Sequence, residues 1–189
     1  MIKLQDILSE QLKQSHITLL KRLYSAYASN RNSKTTLEKL YKLQTKLPYA
    51  EVFKSQKISP PPYYRAMKLD NLPEVGDTFN FGLAGWTTNE SVAKRFLMGK
   101  FDRNGIIFET LSKEHAFLDL KEFGLSIKEY IEINYPNWKD DYELSKLHLY
   151  AKPSYNESEV ILEPHVATVE SVVKKERFSD NPIYYVEVT

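Results

Sequence analysis

The sequence predicts an α+β fold, and three observations carry the prediction. Apolar residues repeat at helical spacing through the first third, three consecutive prolines close that segment, and the remainder carries short alternating stretches bounded by turn residues. At 189 residues the chain fits one domain, or one domain with a small appendage, and is long enough to bury a core. It divides into a basic helical segment, residues 1–58, and a core segment, residues 59–189.

The helical reading rests on Leu4, Ile7, Leu8, Leu12, Ile17, Leu20 and Tyr24, which give one amphipathic helix or two short ones over residues 3–28. A loop follows at Ser29 to Ser33. Leu37, Leu40, Tyr41, Leu43 and Leu47 predict the next helix, from Thr35 to Leu47, ended by Pro48. Pro60, Pro61 and Pro62 exclude helix and central strand, because proline lacks the backbone donor and fixes φ. Beyond this stiff junction, Tyr63 to Met67 predicts a strand, Glu74 to Asp77 a turn and Thr78 to Phe81 a second strand. Gly82 to Thr88 leads into a short helix near Glu90 to Leu97, and Ile106 to Thr110 reads as another strand. His115 to Leu120 fits a strand, Ser126 to Tyr130 the start of a helix, and Asn134 to Asp141 a loop. Within Tyr155 to Pro164, Glu157 and Glu159 stand two residues apart at the entry to an apolar strand. Val166 to Val173 and Ile183 to Val188 alternate on either side of Ser179-Asp180-Asn181-Pro182 and predict a terminal hairpin.

Composition excludes several kinds of chemistry. The chain has no Cys, which removes disulfides, thiolate catalysis and Cys-based zinc sites. His16, His115, His148 and His165 are scattered without ligand spacing and are expected as surface or satisfied structural residues, so no metal is expected. No apolar run approaches the ~20 residues of a membrane helix, and the N-terminus breaks its apolar residues with charge, unlike a secretory signal. No Gly-rich phosphate loop follows a strand. A protein acting in the cytoplasm is expected, either of the cell that makes it or of a host cell into which it is delivered, with no membrane partner. Net charge is +1 but unevenly placed: residues 1–58 hold 11 Lys+Arg against 4 Asp+Glu, leaving 15 against 21 beyond them. Such a basic segment leaves nucleic acid or an acidic protein surface open as a partner, but with no aromatic interleaving or nucleic-acid motif beside it a solvated lysine-rich helix face is the favoured reading.

Three polar signatures stand in order along the core segment. The first is Tyr64-Arg65-Ala66, an arginine on a strand after aromatic residues. The second is Trp86-Thr87-Thr88-Asn89, a hydroxyl cluster followed by a helical stretch with Ala93 and Phe96. The third is Glu157-Ser158-Glu159-Val160-Ile161-Leu162-Glu163-Pro164. Strand geometry turns Glu157 and Glu159 to one face with Cα atoms roughly 6.5 to 7 Å apart, so both carboxylates can address one ligand. Alone, such a pair is more often a solvated strand edge.

Together the signatures resemble the ADP-ribosyltransferases of the arginine-serine-glutamate class. That family carries aromatic-Arg-Gly, then aromatic-Ser-Thr-Ser before a helix, then Glu or Gln-x-Glu opening an apolar strand. The resemblance covers roughly residues 60–189 and is greatest to the small enzymes with which tailed phages modify host proteins; bacterial toxins share the core. Ala66 departs from the family glycine, and Thr-Thr-Asn replaces Ser-Thr-Ser.

The resemblance implies two packed antiparallel sheets around an NAD cleft, flanked by N-terminal helices. It also implies mono-ADP-ribosyl transfer from NAD, with no metal, to an acceptor that is by default an arginine of a host protein. The enzyme is expected to be a monomer. Glu159 would favour the positive charge that develops as the nicotinamide bond breaks, and Glu157 would align or deprotonate the acceptor. Arg65 would grip the pyrophosphate and Thr87 orient Glu159. The NAD-binding set is then Tyr64, Arg65, Ala66, Thr87, Thr88, Phe101, Arg103 and Glu159. Phe101 is the candidate ring against the nicotinamide, whereas Phe96, one turn beyond Ala93, is expected in the core. Two other readings stay open on the sequence: an inert transferase-like scaffold that docks partners through residues 1–58, and an NAD glycohydrolase that transfers to water.

Overall fold

The computed structural model describes residues 18, 34–45, 50, 53–54, 56–98, 104–151, 159–178 and 181–189. Its described elements are α1 (Lys34–Leu43), β1 (Tyr63–Leu69), β2 (Thr78–Phe81), β3 (Ala84–Thr87) and α2 (Glu90–Phe96). They continue with β4 (Asn104–Thr110), β5 (Ala116–Asp119), α3 (Leu120–Asn134), α4 (Tyr142–Tyr150), β6 (Glu159–Leu162), β7 (His165–Phe178) and β8 (Asn181–Val188). The fold is α+β, as the sequence predicts. The helices expected over residues 3–28 lie outside the described residues, apart from the helical Thr18.

The chain separates into two compact units, Met1–Lys57 with Leu120–Asn156, and Ile58–Asp119 with Glu157–Thr189. Residues 120–156 group with the first unit, and the second begins at Ile58. Within that unit α1 buries Leu37 and Leu40, and α3 buries Phe123, Ile127 and Ile131 at helical spacing. Phe53 stacks on Phe123 with ring centroids 4.7 Å apart. Helix α3 begins six residues before the expected Ser126. Helix α4 was not expected, because its residues alternate too little in polarity to mark a face. Its start is nonetheless marked by an N-cap: the Asp141 side chain accepts the Glu143 and Leu144 N–H groups at 2.8 and 3.0 Å.

The second unit holds all eight described strands, ordered β2-β7-β8-β4-β1-β3-β6-β5. Neighbours pair antiparallel except β4 and β8, which are parallel from Gly105↔Ile183 to Glu109↔Glu187. That departs from the purely antiparallel sheets expected, and the reason is connectivity: β7 returns beside β8 as the predicted hairpin, so β8 meets β4 running the same way. The ladder from β1 to β3 is a single pair, Tyr64↔Thr87. The order folds back on itself around one core, since Trp86 of β3 and Val160 and Leu162 of β6 pack with Phe81, Phe108, Val169 and Val186. Phe81 stands 5.1 Å from both Trp86 and Phe108, edge to face. Burying side chains of this size stabilises the unit by ~1.5–3 kcal/mol each.

Candidate active site

Cross-strand register brings the three sequence signatures together. Thr87 faces Tyr64 of β1 on one side and Glu159 of β6 on the other. Residues opposite each other in adjacent strands have Cβ atoms about 4.5–5.5 Å apart, so positions far apart in sequence become neighbours. Beyond the single β1–β3 pair the two strands separate, and a cavity of about 300 Å³ opens there. Tyr64, Arg65, Ala66, Gly85, Trp86, Thr87, Val92, Ala93, Phe96 and Glu159 line it.

Arg65 is the cation of the site. Its Nη1 donates to the Gly85 carbonyl at 2.7 Å, and its Nε is buried with no hydrogen-bond partner. Burial lowers the Arg65 pKa, an effect that the nearby Glu159 charge opposes. Arginine stays charged through such a shift, because its ordinary value exceeds ~12. The cavity therefore holds a desolvated cation beside a carboxylate, with one donor still available.

Thr87 is 6% exposed, and its Oγ1 accepts the Asn89 N–H at 3.1 Å. Strand register sets Thr87 directly opposite Glu159. Asn89, a departure from the family pattern, caps α2: its Oδ1 accepts the Ser91 N–H at 3.0 Å and the Ser91 hydroxyl at 2.7 Å. The cap starts a seven-residue helix whose Ala93, with the C-cap residue Leu97, packs against Ile107, Ile183 and Tyr185. Tyr185 donates its hydroxyl proton to Glu90, and Lys94 pairs with the same carboxylate at 3.1 Å, tying the helix to β8. Burial, with Glu109 and Glu90 nearby, raises the Tyr64 pKa.

Of the residues singled out from sequence, Tyr64, Arg65, Ala66, Thr87 and Glu159 line the cavity. Thr88 is half-buried and does not line it. Glu157, Phe101 and Arg103 lie outside the described residues. Phe96 corrects its expectation: it is 63% exposed and lines the cavity instead of entering the core. One turn from Ala93 it falls on the rim side of α2, because Val92, Ala93 and Leu97 already fill the inner face. Gly85 was missed altogether, although a glycine inside a strand signals a close approach. Unexpectedly, His115 and His165 stack with centroids 4.5 Å apart. No group of three or more potential metal ligands occurs among the described residues, and no described helix is long and apolar enough to cross a membrane.

No protein-family model and no curated protein matches the chain. Among solved structures it is similar to Vis toxin, an ADP-ribosyltransferase from Vibrio splendidus, at 14% identity and a TM-score of 0.43, over 98% of this chain and 72% of that one. It is also similar to ADP-ribosyltransferase Vis in complex with agmatine, at 14% identity and a TM-score of 0.41, over 98% and 74% of the two chains. The complex of Vis with M6 inhibitor gives 15% identity and a TM-score of 0.41, over 98% and 72%.

Proposed function

We propose that this chain is a mono-ADP-ribosyltransferase that uses NAD as its donor substrate and an arginine of a host protein as its default acceptor. The observation that carries the reading is the convergence of Arg65, Thr87 and Glu159 on one cavity, with Arg65 Nε buried and unpartnered. A buried donor without an acceptor is costly unless a ligand completes it.

NAD fits that requirement. While Nη1 stays on Gly85, the remaining guanidinium N–H groups are suited to pyrophosphate oxygens. A cavity of about 300 Å³ lies at the low end of small-molecule sites, which run ~300–1,000 Å³. It accommodates the nicotinamide-ribose half, with the rest of the dinucleotide extending outward. Phe96, exposed at the rim, supplies an aromatic face for a planar ring.

In the reaction, the bond between the ribose C1′ and the nicotinamide nitrogen breaks, and its electron pair neutralises the pyridinium. The Glu159 carboxylate favours the oxocarbenium-like charge left at C1′ more than it favours the ground state. The Thr87 hydroxyl holds Glu159 in place. An acceptor nitrogen then bonds to C1′ and gives up a proton, the role assigned to Glu157 from its place in the sequence.

Nicotinamide release from NAD tests the reading. The wild-type protein is expected to release nicotinamide and to label an acceptor, while Glu159→Gln loses about 10³-fold in kcat with its fold intact. Equal rates for the two proteins, or none for wild type in the presence of candidate acceptors, overturn the reading. Release without labelling points to transfer to water.

A further inference from the structure

Gly85 lies inside β3, where a glycine gives up side-chain packing and chain stiffness. A Cβ built on it overlaps Oε1 of Glu159 and stands 2.9 Å from Cδ and 3.3 Å from Cγ of the same side chain. The same construction on Gly82, three residues earlier, meets nothing within 4 Å. The demand for glycine thus comes from the Glu159 carboxylate, which rests on the bare Cα of residue 85. The other half of the contact is the Gly85 carbonyl, which accepts Arg65 Nη1 at 2.7 Å.

We propose that Gly85 is a positioning residue of the site: its missing side chain seats the Glu159 carboxylate, its carbonyl holds Arg65, and so one residue sets the spacing of anion and cation across the cavity. The seat is specific. A methyl group at this position overlaps Oε1, so the carboxylate must shift from its seat to admit it. A displacement of about 1 Å at a reacting group costs about 10²-fold in rate. The Arg65 contact uses the backbone and survives the substitution, so donor binding is largely retained.

A two-by-two cycle of Gly85→Ala and Glu159→Ala tests this by melting temperature and by nicotinamide release. Ala at 85 is expected to lower Tm in the wild-type background. With the carboxylate gone, the same change is expected to leave Tm unchanged or raise it, because alanine suits a strand better than glycine. In kinetics, Gly85→Ala is expected to lower kcat about 10²-fold with the KM for NAD within about threefold, and to add no loss to Glu159→Ala. An equal Tm change in both backgrounds overturns the proposal, as does a kcat within about threefold of wild type or a loss confined to KM. If Gly85→Ala does not fold but the double variant does, the clash is confirmed in its extreme form; if neither folds, glycine is needed for another reason and the proposal fails. The kinetic arm rests on the transferase reading, whereas the melting arm does not. A wild type without nicotinamide release therefore removes that reading and leaves the seat to be decided by Tm.

Discussion

Two charges sit deep in the strand-bearing unit and are treated in opposite ways. Asp119, 3% exposed at the end of β5, accepts the Ser59 N–H at 3.1 Å and the Ser59 hydroxyl at 2.6 Å. The Ser59 carbonyl in turn accepts the Tyr63 hydroxyl at 2.6 Å, and burial together with the Asp119 charge pushes the Tyr63 pKa up to about 12. Arg65 has one donor on a backbone carbonyl and another buried with nothing to meet it, beside a cavity. Burying a charge is costly in both places, but Arg65, despite its Gly85 bond and the nearby Glu159 charge, keeps one buried donor without an acceptor. A buried charge that the fold satisfies is scaffold; one left short beside a cavity is waiting for a ligand. Asp119 accordingly clamps Ser59, the residue that enters the proline junction ahead of β1, the strand that presents Arg65.

The largest effect that can break this comparison is on Asp119. Asp119→Ala strips the Ser59 N–H and hydroxyl of their acceptor, and is expected to cost ~2–3 kcal/mol in urea unfolding. Nicotinamide release per folded molecule should be unchanged. A variant of intact stability and lost activity would move Asp119 into the site and dissolve the distinction.

The complementary change, Arg65→Lys, should do the reverse. A lysine point charge cannot hold the Gly85 carbonyl and reach phosphate oxygens at once, so the KM for NAD is expected to rise about tenfold, or ~1.4 kcal/mol. The urea midpoint should barely move. A large stability loss at unchanged KM would make Arg65 scaffold as well.

How much of this contrast was legible in the sequence follows from what each side depends on. Arg65, Thr87 and Glu159 stand in ordered local patterns, each beside an aromatic or apolar run, and it was the resemblance of that ordered set to a known family's motifs, not any one pattern, that singled them out. Their meeting depends on register across β1, β3 and β6, which no local pattern encodes. Asp119 was passed over because its partner Ser59 is sixty residues away. Gly85 carried a weak sign, an interior strand glycine, but its reason lies in a carboxylate on another strand. Phe96 was misread because spacing from Ala93 gives a helical face without saying how wide the buried part of that face is. Among strands, β4, β6 and the β7–β8 hairpin were evident from alternation, whereas the parallel β4–β8 pairing arises only from how the chain returns.

His165 gives the comparison its finest test, since it is a titratable group packed close to the cavity wall. Its ring lies 5.6 Å from Phe81 and 6.4 Å from Trp86, and it stacks on His115. Nδ1–H donates to the Glu163 carbonyl at 2.7 Å, so the ring is satisfied in its neutral form. By the rule drawn above it belongs with Asp119. Burial lowers the His165 pKa, His115 lowers it further, and the Glu163 carbonyl opposes both. Above the unfolded value of ~6.5 both states are neutral and the residue contributes no pH dependence. As pH falls below that value the unfolded chain takes up a proton that the native ring resists, so stability declines until the folded pKa is passed. Urea midpoints between pH 7.5 and 5 should therefore fall less for His165→Phe than for wild type, by an amount smaller than either substitution above. A wild type that gains stability relative to His165→Phe on acidification would mean that the stacked pair binds a proton in the native state, and would place His165 with the groups left short, on Arg65's side.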